Sequence, residues 1–215
     1  MAMRIPFNRV LGLLPLALLT ACANSNSEKV ANLLLHYVNG TNEKVTREAA
    51  AAVPYPTMGL ELGFTPEVLL VLGNAADGEL HWYAGEQLFV ATRQGRIVRT
   101  VGLPNDLGGL QSAARGQAGG AAISYTLDFP DIGVFGAPAL CTTTDRGADN
   151  IDILGGAVAT RHLVEHCTVP TMKWTFDNEY WPDRMTGYVW RSRQYVHPKS
   201  PPVEIEVFRP EDTSG

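Results

Sequence analysis

Residues 87–101 read QLFVATRQGRIVRTV, and this stretch decides the fold. Two runs rich in β-branched and apolar residues, Gln87 to Arg93 and Arg96 to Val101, flank Gln94-Gly95. A two-residue connection ending in Gly predicts a tight hairpin, because Gly accepts the positive φ that such a turn requires. The runs are therefore expected to pair antiparallel.

Working upstream, Leu80 to Tyr83 predicts a strand, and Asp77-Gly78 predicts a turn before it. Val68 to Leu72 (VLLVL) is a continuous apolar run that suits a central strand. Thr57 to Gly63 alternates in short form. Thr46 to Ala52 predicts a short helix, stopped by Pro54 and Pro56. Ser27 to Val38 predicts another, since Val30, Leu33, Leu34, Tyr37 and Val38 make one apolar stripe.

Downstream of Pro104, strands are expected at Ala121 to Phe129, Val134 to Thr143, Arg161 to Val169, Thr171 to Tyr180, Gly187 to Val196 and Val203 to Phe208. Met172, Trp174, Phe176 and Tyr180 share one face by alternation. In the last strand Val203, Ile205 and Val207 face in, while Glu204 and Glu206 face out. Pro182 to Gly187 is a turn, and Gly102 to Gly120 is a long, weakly patterned connection. Consecutive strands with tight turns predict a mainly β fold, an antiparallel sheet shaped as a barrel or sandwich, with a short N-terminal helical segment.

The N-terminus carries a different signal. Arg4 and Arg9 precede the apolar run Val10 to Leu19, which is shorter than the roughly 20 residues a spanning helix needs but suits a signal peptide. Leu19-Thr20-Ala21-Cys22 then reads as a lipobox: small residues admit the peptidase, and the Cys22 thiol takes the lipid. The expected organisation is a signal peptide over residues 1–21, a lipidated tether over 22–27 and one β-rich periplasmic domain over 28–215. Acyl chains on Cys22 would make the anchor effectively permanent, at about 0.8 kcal/mol per buried CH₂. Ala23, in place of the Asp of an inner-membrane retention signal, favours the outer membrane. The formal net charge is -5, and two arginines leave with the leader, so nucleic acid is not an expected partner.

Cys141 and Cys167 remain, an even number for an oxidising compartment, and a disulfide is expected. Free thiols, or a metal site combining the pair with His162 and His166, stand as alternatives.

No GxSxG elbow, phosphate-binding loop or HExxH motif occurs, so neither a catalytic set nor a cofactor is expected. Asp177/Glu179 and Glu204/Glu206 lie two apart on strands and are expected on a solvated face. Arg93, Arg96, Arg99, Arg191 and Arg193 are expected to decorate a solvated face as well. His81, Trp82, Tyr83, Trp181 and Trp190 are candidate sugar-binding residues, since aromatic rings stack on the apolar faces of sugars. Trp174 also belongs to that aromatic set. Placement in the core is the competing reading for these tryptophans.

Three blocks carry a family resemblance. They are Val68 to Leu107, with its LVLG strand, an exposed Trp-Tyr and a Gly-Leu-Pro-x-Asp-Leu ending; Trp174 to Trp190, which includes Trp-x-Asp-x-x-Thr-Gly-x-Val-Trp; and Pro202 to Pro210, PVEIEVFRP. Tyr55-Pro56 adds to them. Together these resemble the group 4 capsule polysaccharide lipoprotein family, also called YjbF or GfcB-like. The segment between the two cysteines matches no pattern of that family. The resemblance implies an outer-membrane lipoprotein, mainly β, that serves capsule or exopolysaccharide production beside a periplasmic β-rich partner and an outer-membrane β-barrel. It implies no catalytic residues.

The expected function is a non-enzymatic accessory lipoprotein acting by tethering and binding. The alternatives are a barrel that carries acyl chains and a polysaccharide-modifying enzyme. A large apolar cavity would favour the carrier, a cleft with converging carboxylates or histidines the enzyme, and a filled core with an exposed aromatic patch the binding module.

Overall fold

The computed structural model describes residues 44–112 and 122–211. The lipobox, the tether and the expected helix at Ser27 to Val38 lie outside the described residues. One six-residue helix, α1 (Arg47–Ala52), begins at Thr46, whose hydroxyl accepts the Ala49 N–H as an N-cap. Twelve strands follow in chain order: β1 (Thr57–Leu62), β2 (Val68–Ala76), β3 (Glu79–Ala84), β4 (Leu88–Arg93), β5 (Arg96–Val101), β6 (Gly109–Ser112), β7 (Ala122–Phe129), β8 (Val134–Ile153), β9 (Gly156–Val169), β10 (Trp174–Pro182), β11 (Val189–Gln194) and β12 (Val203–Arg209).

All neighbours are antiparallel, in the order β5-β4-β3-β2-β1-β12-β11-β10-β9-β8-β7-β6. The chain thus winds both ways from the β1–β12 pair, which joins its two ends. The sheet curls into a nearly closed barrel. Near the seam the Thr100 N–H donates to Leu107 O at 2.9 Å, and the Leu107 N–H returns to the Thr100 hydroxyl.

Alternation places Met58, Leu60, Val203, Ile205 and Val207 in the interior. The outer wall carries a row of cross-strand ion pairs: Arg191 with Glu206, Arg193 with Glu179 and Glu204, His166 with Asp177. Such a wall faces water; a membrane-spanning barrel shows the reverse, an apolar band outside.

Val68 to Leu72 lies in a central strand as expected, with β2 between β1 and β3. Only Leu70 of the run is fully buried, because β2 lines an antiparallel barrel with one wet side. One expectation is corrected: the strands at Val134 to Thr143 and Arg161 to Val169 are far longer than expected. β8 and β9 continue as a hairpin arm that turns at Leu154-Gly155, both at positive φ. The arm lies against the barrel: the Trp181 indole N–H donates to Asp149 Oδ2, and Arg191 donates to Asp152 O. Within the expected long connection, Gly109–Ser112 forms β6.

The β4–β5 hairpin leans inward. Gly95 has φ of 77°, and a Cβ there would overlap the Val189 side chain at the start of β11. Gly95→Ala is expected to cost about 2 kcal/mol, adding this overlap to left-handed backbone strain. Gly78→Ala, at φ of 76° with open space around it, should cost less in the same thermal melts. Equal losses would show that the contact with β11 is unimportant.

At the closed end, His197 is fully buried against Phe129. Its Nδ1 accepts the Lys199 N–H, which puts the proton on Nε2, 3.3 Å from Asp131 Oδ1. Burial lowers its pKa from the ordinary 6.5; Asp131 and Asp106 pull the other way and Lys199 adds to the lowering. The folded state therefore binds this proton less readily than the unfolded chain. The associated stability is present above pH 6.5 and is lost as the pH falls below it. His197→Gln should flatten that part of the pH dependence of urea unfolding; an unchanged slope would show that the imidazole does not set it.

Candidate functional site

Among the described residues, the inward-facing positions are mostly apolar, with isolated threonines such as Thr92 and Thr100, and one layer is strongly polar. Glu165 of β9, Asn178 of β10, and Ser192 and Gln194 of β11 point inside and are buried. Arg96, the first residue of β5, crosses the interior to meet them. Its Nη1 and Nη2 donate to the two Glu165 oxygens at 2.8 and 2.6 Å, a bidentate pair. The guanidinium lies between the Tyr125 and Tyr180 rings, 4.6 and 5.2 Å from their centroids. Asn178 donates to Glu165, and Gln194 accepts the Ile97 N–H and the Tyr180 hydroxyl.

Burial alone would lower the Arg96 pKa, but Tyr180 and the paired Glu165 outweigh it and the value is raised. Burial also raises the Tyr180 hydroxyl, against the pull of Arg96. The layer thus carries a fixed ion pair and two neutral phenols.

This layer divides the barrel. On one side the core is filled by residues such as Leu107, Leu127, Phe176 and Val196 around the Cys141–Cys167 bond, with a void of only about 20 Å³. On the other side lies an open cavity of about 1230 Å³ between the β2–β5 wall and the β9–β12 wall. Its lining includes Leu80, Trp82, Ile123, Leu163, Val189 and Trp190.

The sequence candidates are distributed over several places. Trp82 is buried in the cavity wall, and its indole N–H donates to the Thr92 hydroxyl at 3.0 Å. Trp190 lines the same cavity. His81 and Tyr83 point to the opposite face, where both pack on Phe89. Trp181 is outside, stacked on His162 at 4.8 Å. Of the two readings for these residues, core placement holds for Trp82, while Tyr83 is exposed: strand alternation separates Trp82 from His81 and Tyr83, and the alternation in Leu80-Trp82-Ala84 was the signal for it.

Arg96 is corrected from surface decoration to a largely enclosed partner of the buried Glu165. A charge facing the apolar side of a strand, as Glu165 does between Leu163 and Cys167, was the available sign.

Cys141 and Cys167 are directly opposite in the β8–β9 ladder and are joined as a disulfide. The alternative metal set is not assembled. The sulfurs are bonded to each other inside the barrel, whereas His162 and His166 face out and meet Glu179 and Asp177 at 2.7 and 2.6 Å. Cys141, Glu165 and Cys167 lie close together, but bonded sulfurs offer no thiolate ligands.

The fold and the site define a class: a water-facing antiparallel barrel, charged outside, with a ligand-sized cavity closed at one end by a polar floor. The chain belongs to the group 4 capsule polysaccharide lipoprotein family of GfcB and YjbF, whose pattern matches residues 28–208. The Escherichia coli K12 protein described as uncharacterized lipoprotein GfcB is 25% identical over 202 residues, covering 89% of this chain and 94% of that one. Uncharacterized lipoprotein YjbF of the same organism is 25% identical over 201 residues, covering 89% and 93%. The crystal structure of the hypothetical lipoprotein YmcC from E. coli K12 superposes with a TM-score of 0.63 at 25% identity, covering 74% of this chain and 89% of that one.

Proposed function

We propose that the chain is a non-enzymatic accessory lipoprotein in the secretion or assembly of capsule or exopolysaccharide, held at the outer membrane by lipid on Cys22, with its barrel facing the periplasm. Family membership across residues 28–208 carries this reading. The geometry supports the non-enzymatic part. Arg93 is paired with Glu79 at the cavity, Arg96 with Glu165, and Glu211 accepts the Tyr188 hydroxyl. Such pairs hold the polar groups at fixed positions around the cavity, which suits holding a ligand. Tethering would raise the effective concentration of the barrel for capsule-export partners in the same membrane, an outer-membrane β-barrel among them.

Deleting the gene in a polysaccharide-producing strain is expected to lower surface polysaccharide. The purified chain is expected to leave that polysaccharide's size and substituents unchanged. Time-dependent shortening or modification by the pure chain would overturn the non-enzymatic reading, and unchanged surface polysaccharide after deletion would overturn the pathway.

A further inference from the structure

The accessory role leaves the open cavity of about 1230 Å³ without an occupant. We infer that it is a binding site for the alkyl chain of an amphiphile supplied from outside the protein. This goes beyond the capsule reading and does not depend on it.

The walls carry the first part of the argument. Leu80 on one side, backed by the buried Trp82, faces Leu163, Val189 and Trp190 on the other, with Ile123 of β7 between them, all but Trp82 partly exposed. Apolar groups on both sides of an open space are a surface that an alkyl chain would remove from water.

The polar side chains carry the second part. The Thr92 hydroxyl accepts from Trp82, the Tyr180 hydroxyl donates to Gln194, Ser192 accepts from Gln194 and the Tyr188 hydroxyl donates to Glu211. These groups spend part of their hydrogen-bonding capacity on one another, and a sugar entering here would give up water at every hydroxyl to compete for the donors that remain, such as the Trp190 indole N–H. An alkyl chain has no such hydrogen bonds to lose. The cavity is also larger than the roughly 300–1,000 Å³ of a usual small-molecule pocket, which suits an extended chain.

Charge sets the direction of entry. Asp77, Glu79 and Arg93, at or beside the β2–β3 and β4–β5 turns, border the cavity, and Glu211 borders it at the end of β12. The Arg96–Glu165 layer closes the opposite end. The hydrocarbon would therefore lie between a polar mouth, where a headgroup stays hydrated, and a polar floor, where the chain stops.

The test uses the mature chain from residue 22 with Cys22→Ser, which bears no acyl chain of its own, so any chain captured comes from outside. Cis-parinaric acid is titrated in, and energy transfer from the tryptophans reports binding. Saturable one-to-one binding is expected, displaced by oleate and not by a neutral oligosaccharide. Leu163→Arg, on the wall, should weaken it about tenfold or more, because a charge replaces apolar lining. Ile123→Asp on β7, two strands away in the same wall, gives the same readout should Leu163→Arg not fold. Phe135→Arg, exposed on β8, should leave binding unchanged. No saturable binding, equal affinity in folded wall variants, or displacement by the oligosaccharide in place of oleate would each overturn the inference.

Discussion

Glu165→Ala is expected to destabilise the barrel by about 3–5 kcal/mol, the loss typical of breaking a buried ion pair from one side. Glu165 is 1% exposed and is the acceptor for both Arg96 nitrogens and for Asn178. Its removal leaves the guanidinium between two aromatic rings with no counter-charge, and β5 loses a link to β9. The double variant Arg96→Met/Glu165→Leu removes both charges and should lose much less, since apolar groups of similar volume replace a pair whose desolvation was itself costly. Urea unfolding of the two variants separates these cases. A single variant within about 1 kcal/mol of wild type would show that the layer does not hold the walls together.

Replacing both cysteines, Cys141→Ala with Cys167→Ala, is expected to cost about 3.5 kcal/mol, from the entropy of a loop closed across 26 residues. The bond spans the whole β8–β9 arm, whose outer half is largely polar and is held chiefly by its own ladder and a few hydrogen bonds to β10 and β11. Such an element depends on its tie in the unfolded chain more than on burial. The melting temperature should fall by about 7–14 °C for a domain of this size. A drop of the same size when dithiothreitol is added to wild type would confirm the origin, and a reductant-insensitive melt would contradict it.

The β1–β5 half of the barrel was legible because its turns carry Gly after a polar residue and its strands alternate. The two two-residue hairpins there, at Asp77-Gly78 and Gln94-Gly95, turn at positive φ as that pattern requires. The arm was not legible. Thr142 to Asn150 has no apolar face because the arm meets the barrel through polar contacts such as Trp181 to Asp149 and is otherwise wet, and Leu154 occupies a positive-φ position that the sequence does not announce. The cavity was less legible still. Trp82, Leu163 and Trp190 look like any inward residues, and whether the space between them fills depends on how the barrel closes. The polar floor joins residues 69 positions apart, Arg96 and Glu165, and only the unusual placement of a carboxylate on an apolar face hinted at it.

The central claim is that a lipid at residue 22 holds this barrel beside the membrane, where it acts by contact. The most direct measurement is surface polysaccharide in a gene-deleted strain that expresses either the wild-type chain or Cys22→Ser at matched levels. The wild type should restore surface polysaccharide and fractionate with the outer membrane, while Cys22→Ser should fail to restore it. Full restoration by a Cys22→Ser chain free of the membrane would contradict the account.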